Sequence, residues 1–161
     1  MLTISDDDIR DAIQPHQDLP GAMLPVLHAI QDRFGYLPAN SVAVVAQALQ
    51  VSRAEVDGVI SFYHHYRRQP AGAHVVQVCR AEACQARGSR ALESHLKSSL
   101  GIDYHQTTPD NEITLEPVYC LGNCACGPNL LIDDQVAARV TPDKVDRLMD
   151  ALRHQALEIQ S

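Results

Sequence analysis

The stretch Thr114–Pro128 reads TLEPVYCLGNCACGP and carries three of the five cysteines of the chain, Cys120, Cys124 and Cys126. The other two cysteines begin and end the motif CRAEAC, Cys79–Cys84, so the spacing is C-x4-C, 35 residues, then C-x3-C. Cysteines of an ordinary core lie inside apolar elements, whereas glycines and a proline flank these. The pattern therefore predicts two cysteine pairs that bind a ligand, in a fold that brings the pairs together.

The composition limits the class of protein and the state of the thiols. The chain has 161 residues, 45% hydrophobic and 20% charged, which is typical of a globular protein that needs no disulfides to fold. A net charge of −7 argues against nucleic acid as the main partner. The sequence shows neither a secretory signal nor an apolar run long enough for a membrane span, so it predicts a cytoplasmic protein with reduced thiols.

The first 70 residues predict an N-terminal helical bundle, residues 1–70. Ser5 is positioned to cap a first helix, and Gly35 to end a second one. The segment SRAE predicts a capping box in which Ser52 and Glu55 satisfy each other's backbone N–H groups at the start of a further helix. The residues expected to form the buried faces of these helices are Met23, Leu27, Ile30, Phe34, Val42, Val45, Leu49, Val56, Val59 and Tyr63.

Pro70 and Gly72 mark a boundary, after which residues 73–161 predict a separate α/β domain. The expected order is β-α-β-β-β-α, with one more strand near DYHQTT. The predicted elements are a strand HVVQVC ending at Cys79, a helix from Gln85 to Leu100, a strand ITLEPVYC ending at Cys120, two short strands in NLLID and VAARV, and a last helix capped by Thr141. The fold class is therefore α+β.

The cysteine pairs meet if the strands that end at Cys79 and Cys120 run parallel in one sheet, because both pairs then leave the same edge. Spacing alone does not identify what the four thiolates bind. Structural zinc accepts pairs two to four residues apart, a [2Fe–2S] cluster also takes four cysteines, and a redox disulfide remains a third reading. Cys126 is the odd cysteine, and we interpret it as a spectator beside the site.

Together, CRAEAC and CLGNCACGP resemble the thioredoxin-like [2Fe–2S] ferredoxin family. That family includes subunits of NADH:quinone oxidoreductase (complex I), NAD-linked hydrogenases and NAD-dependent formate dehydrogenase. The likeness extends over nearly the whole chain, since LPVLHAIQDRFGYLP and GVISFYHHYRR look like the family's N-terminal helices. The phrases HVVQVCRAEACQ and GIDYHQTT, with the Thr114–Pro128 stretch, are most similar to the gamma subunit of the formate dehydrogenase.

The resemblance implies a thioredoxin-like domain behind the helical one, with one [2Fe–2S] cluster on Cys79, Cys84, Cys120 and Cys124. It implies an electron-transfer subunit that is not catalytic by itself. FMN and NAD would then lie on a flavin-binding partner, and a molybdenum cofactor on a catalytic partner that oxidises formate. The chain itself shows no dinucleotide-binding or phosphate-binding motif.

Two other readings stay open at this point. The same subunit in an NAD-linked hydrogenase or in NADH:quinone oxidoreductase would carry the same motifs. A protein of a different class, a zinc-stabilised assembly module without redox function, would carry the same cysteine spacing.

Overall fold

The computed structural model describes residues 4–159, with side chains as far as residue 153. The chain divides into two compact units, Met1–Pro70 and Ala71–Ser161. Each unit has its own cluster of buried apolar side chains. That each unit is a domain able to fold alone stays a prediction.

The first unit is helical, and its sequence encodes the helix starts. Ser5 and Asp8 form a capping box at the start of the first helix, as Ser52 and Glu55 do at the fourth. Gly35 ends the second helix with φ of +80°, a conformation that favours glycine. The helices are α1 (Asp6–Ile13), α2 (Met23–Phe34), α3 (Ser41–Leu49) and α4 (Arg53–Phe62).

Some residues that were predicted to form the buried helix faces of the first unit are not fully buried in the structure. Leu27, Ile30, Val45 and Val56 are fully buried, as predicted. Tyr63, however, is not on a helix: α4 ends at Phe62, and Tyr63 is extended and 43% exposed. The remaining members of the predicted faces, Met23, Phe34, Val42, Leu49 and Val59, are only partly buried.

The second unit is built on a five-stranded mixed sheet. The strands are β1 (His74–Cys79), β2 (Gln106–Thr107), β3 (Ile113–Val118), β4 (Leu130–Ile132) and β5 (Gln135–Ala137). They lie in the order β2-β3-β1-β4-β5. The central strand β1 pairs parallel with β3, from His74 opposite Ile113 to Cys79 opposite Val118. All other pairings in this sheet are antiparallel. The predicted α+β class is thereby confirmed, and the parallel pairing that the cysteine pairs need in order to meet is present.

The helices of the second unit correct one prediction. The helix expected from Gln85 to Leu100 is two helices, α5 (Glu82–Ala86) and α6 (Ser89–Leu100). Gly88 separates them with φ of +98°, which a continuing helix does not allow. The last helix, α7 (Pro142–Ile159), begins with proline as expected, and Val145 and Met149 lie in the core.

Hydropathy gives no support for a membrane-spanning helix in the part of the chain that the structure describes. The helices of both units instead bury one apolar face against their own core.

Replacing Gly72 and replacing Gly58 with alanine should change the stability of the protein in opposite directions. A methyl group on Gly72 would lie 2.9 Å from the backbone oxygen of Asn111, so Gly72→Ala should destabilise the protein by about 1–3 kcal/mol. Gly58 lies inside α4 with open space around it, so Gly58→Ala should stabilise that helix by about 1 kcal/mol. Urea unfolding of both full-length variants tests the pair, and similar shifts in one direction would contradict the assignment.

Candidate functional site

The two cysteine loops begin side by side because β1 and β3 are parallel neighbours. Cys79 is the last residue of β1, and Cys84 lies in the short helix α5 that follows. Cys120 comes two residues after the end of β3, and Cys124 begins a 3-10 turn. The backbone N–H of Arg80 donates to the carbonyl of Val118 at 2.7 Å, so the pairing continues just beyond the strands.

The thiols are arranged as two pairs. The sulfurs of Cys120 and Cys124 lie 3.7 Å apart. A tetrahedral metal with bonds of about 2.3 Å holds two sulfurs about 3.8 Å apart, so this pair has the spacing of two ligands on one metal. Among the residues whose side chains are described, no three His, Cys, Asp or Glu side chains surround a single ion position. The Cys120 and Cys124 sulfurs are therefore the pair whose separation matches two ligands of one metal.

The pairs differ in exposure to solvent. Cys79 and Cys84 are buried, with exposed fractions of 1% and 0%, whereas Cys120 and Cys124 are exposed. Burial raises the pKa of Cys79, and the neighbouring Cys84 thiol adds to that rise. The hydrogen bond with Cys120 raises the pKa of Cys124. One pair is therefore enclosed by the fold, while the other lies at its surface.

Backbone N–H groups are directed at sulfurs of both pairs. The N–H groups of Ala81 and Leu121 favour the thiolate of Cys79 and lower its pKa against the effect of burial. The Gly122 N–H lies 3.3 Å from the sulfur of Cys120. Such donors stabilise negative charge on sulfur, which suits metal-bound thiolates. The donor set therefore fits a cluster ligated by cysteine.

Gly127 shows how closely the second loop approaches the first. A methyl group at this position would lie 3.2 Å from the sulfur of Cys84 and 3.3 Å from Cδ of Arg87. The close approach explains why the loop carries glycine here. The sequence places this glycine in the cysteine loop, but only the fold identifies its partner across the site.

Asn129 is a site residue that sequence reasoning missed. Its side chain is buried, and its Nδ2 donates to the carbonyl of Asn123 at 2.7 Å and lies 3.5 Å from the sulfur of Cys84. Its own backbone carbonyl accepts from the N–H of Cys79 at 3.1 Å. Asn129 thus ties both cysteine loops together. The sequence offers one clue to this role, because Asn129 places a polar amide at the start of the predicted apolar strand NLLID.

Cys126 ends the 3-10 turn and is only partly exposed. Its backbone is engaged on both sides, since its N–H donates to Asn123 and its carbonyl accepts from the N–H of Arg139 at 2.8 Å. The backbone of Cys126 therefore holds the loop in shape. The sulfurs of Cys120 and Cys124 lie within hydrogen-bonding distance of each other. Among the residues that the structure describes, the sulfur of Cys126 makes no such bond with another cysteine.

Comparison with known proteins places this arrangement in one family. The model of the thioredoxin-like [2Fe–2S] ferredoxin family matches residues 9–153. The chain is 34% identical over 143 residues to a subunit of the NADH-quinone oxidoreductase of Pseudomonas aeruginosa, covering 89% of this chain and 86% of that protein. It is equally identical, over 143 residues, to the HndA subunit of the NADP-reducing hydrogenase of Solidesulfovibrio fructosivorans, covering 87% and 84%.

A solved structure shows the same fold. A crystal structure of an NAD+-reducing [NiFe]-hydrogenase in the air-oxidised state matches 86% of this chain with a TM-score of 0.71 and 24% identity. The match spans only 24% of the hydrogenase chain. At 24% identity, this similarity shows a shared fold and does not show a shared function.

The role of Asn129 is tested by Asn129→Ala. The substitution removes the side-chain bonds between Asn129 and Asn123 and leaves the Cys126 N–H as the remaining donor to the Asn123 carbonyl, at a cost of about 1–3 kcal/mol. We expect the metal content per chain to fall clearly while circular dichroism still shows a folded protein. Asn40→Ala is the control, because Asn40 makes comparable bonds within the first unit, to Ile4 and Asp6. Unchanged metal content in Asn129→Ala would contradict a role at the site.

Proposed function

The chain belongs to the thioredoxin-like [2Fe–2S] ferredoxin family, and from this premise we propose that it is the electron-transfer subunit of an NAD-linked oxidoreductase complex. Its cofactor is one [2Fe–2S] cluster, and its thioredoxin-like fold is that of the family. When bound, such a cluster supplies one reversible one-electron step. The observation that supports the proposal most directly is the convergence of two cysteine pairs at one edge of the sheet.

We infer that Cys79, Cys84, Cys120 and Cys124 are the four ligands. The 3.7 Å separation of the Cys120 and Cys124 sulfurs supports their binding to one iron, which leaves Cys79 and Cys84 for the other. Ala81, Leu121 and Gly122 supply N–H groups to these sulfurs, and Asn129 holds the two loops in register. The buried pair is shielded from water, whereas the exposed pair faces outward, where a partner protein has access.

The chain supports the reaction without performing chemistry on a substrate. Its sequence shows no nucleotide-binding motif, so we propose that NAD and FMN bind to a partner protein of the same complex. Its own residues hold the redox centre, exclude water from one side and leave the other side open. We further propose that the protein works in the cytoplasm, where free thiols stay reduced.

A more specific question is which enzyme complex contains this subunit. The two relatives belong to an NADH-quinone oxidoreductase and to an NADP-reducing hydrogenase. They support these two complexes better than the formate dehydrogenase expected from the sequence. The formate dehydrogenase reading, with its molybdenum-containing partner, rests on the similar phrases alone. The zinc-stabilised module loses its support, because the family match covers residues 9–153.

The ligand assignment predicts a split among the five cysteines. Cys79→Ser, Cys84→Ser, Cys120→Ser and Cys124→Ser should each lose most of the iron and sulfide, since each removes a metal bond. Cys126→Ser is the matched control and should keep about two irons and two sulfides per chain. Iron and sulfide assays with electron paramagnetic resonance after dithionite reduction measure this. Equal loss in Cys126→Ser would overturn the assignment.

The parent complex is tested by purifying the endogenous complex through a tag on this chain. We expect a flavin protein to co-purify, and the cluster signal to appear when NADH is added anaerobically. Hydrogen or formate is then supplied separately to the same preparation. Reduction by formate, with molybdenum bound, would favour the formate dehydrogenase. Reduction by hydrogen would favour the hydrogenase, and reduction by NADH alone the quinone oxidoreductase.

A further inference from the structure

A charged side chain lies between the two cysteine loops and is not used by the function proposed above. Arg80 follows Cys79 directly, and its Nε donates to Glu93 Oε2 at 3.1 Å. Its Nη1 lies 3.5 Å from the hydroxyl of Tyr119, which immediately precedes Cys120. The guanidinium thus lies between Glu93 of α6 and Tyr119, while its own backbone follows Cys79 and that of Tyr119 precedes Cys120.

Glu93 fixes this guanidinium from α6. The Glu93 side chain is 16% exposed and also binds Lys97 Nζ at 2.9 Å, while Lys97 in turn binds Asp103 at 2.8 Å. The ring of Tyr104 lies beneath both cations, with centroid distances of 5.4 Å to Arg80 and 4.0 Å to Lys97. Charges alternate along this network, so removing either Arg80 or Glu93 leaves an unbalanced charge beside the cysteine loops.

The positive charge of Arg80 affects how easily a cluster held by these loops is reduced. Reduction adds one negative charge between the cysteine loops, and a fixed cation nearby stabilises the reduced form. Glu93 offsets part of that effect and also fixes where the cation lies. We propose that Arg80 and Glu93 set the reduction potential of the cluster, Arg80 raising it and Glu93 lowering it. The inference rests on the proposed function, because it requires the cluster to be present.

The test uses purified full-length variants with the cluster loaded: Arg80→Gln, Glu93→Gln, the double variant and Arg80→Lys. Each is titrated anaerobically with dithionite in the presence of redox mediators, and visible absorption reports the reduced fraction. At the midpoint potential of the unmodified protein, we expect the ratio of reduced to oxidised protein to fall about fourfold in Arg80→Gln. That is the effect of a unit charge about 10 Å away at an effective dielectric of about 40.

The other variants separate charge from structure. Glu93→Gln should raise the ratio, the double variant should return it close to the unmodified value, and Arg80→Lys should keep it. Arg147→Gln is the control, because it removes the same charge from an exposed position on α7 and should leave the ratio unchanged. A general disturbance of the fold would shift Arg80→Gln and Glu93→Gln in the same direction, and that result would overturn the inference.

The two proposals fail in different ways. Absence of iron, sulfide and a reduction-dependent resonance in the unmodified protein would overturn the proposed function, and this inference with it. A normal cluster whose potential is the same in Arg80→Gln, Glu93→Gln and the unmodified protein would overturn this inference alone.

Discussion

The parallel pairing of β1 with β3 is the constraint on which the rest of the site depends. Each strand has six residues, and they run together from His74 opposite Ile113 to Cys79 opposite Val118. If β3 ran in the opposite direction, its last residue would lie at the far end of β1, about 17–20 Å from Cys79 at about 3.3 Å per residue. No loop of four residues brings two thiols across that distance to form a shared site. A parallel pair needs a crossover, and the segment between these strands contains α5 and α6, of which α6 buries Leu92 and Leu96 in the core.

The crossover also explains why the site is asymmetric. The first loop continues at once into α5, which encloses Cys84 within the fold. The second loop leaves the sheet edge without a helix of that kind and turns through a single 3-10 turn, so Cys120 and Cys124 stay at the surface. One pair is therefore tied to the rigid core and the other to the exterior. For an electron carrier, this arrangement combines a fixed geometry with access for a partner, because electron transfer requires a short distance but no substrate cavity.

The sequence predicted those features that depend on local pattern, and it failed where distant contacts decide. Alternating and apolar runs located β1, β3, β4 and β5, although β3 ends at Val118 and not at Cys120 as predicted. The capping box at Ser52 needs only residues three apart. The break at Gly88 was missed because Leu92, Leu96 and Leu100 repeat at helical spacing, whereas the left-handed backbone that separates α5 from α6 is seen only in the fold. Asn129 was missed because its partners, Asn123 and Cys84, are identified only by the packed loops. The four cysteines were chosen by resemblance, since their spacing alone suits zinc as well.

The net charge of the whole surface and the few charges beside the cysteine loops have different effects in this protein. The net charge of −7 is spread over the surface and bears on which partners the chain attracts, for example by disfavouring nucleic acid. At physiological ionic strength, exposed charges are screened beyond about 8 Å, so most of these carboxylates have little influence on an electron added to the site. Groups next to the cysteine loops are screened less because the side chains of Glu93 and Lys97 are partly buried. The electrostatics of electron transfer are therefore set by a few residues beside the strand ends, while the acidic surface acts on the approach of partners.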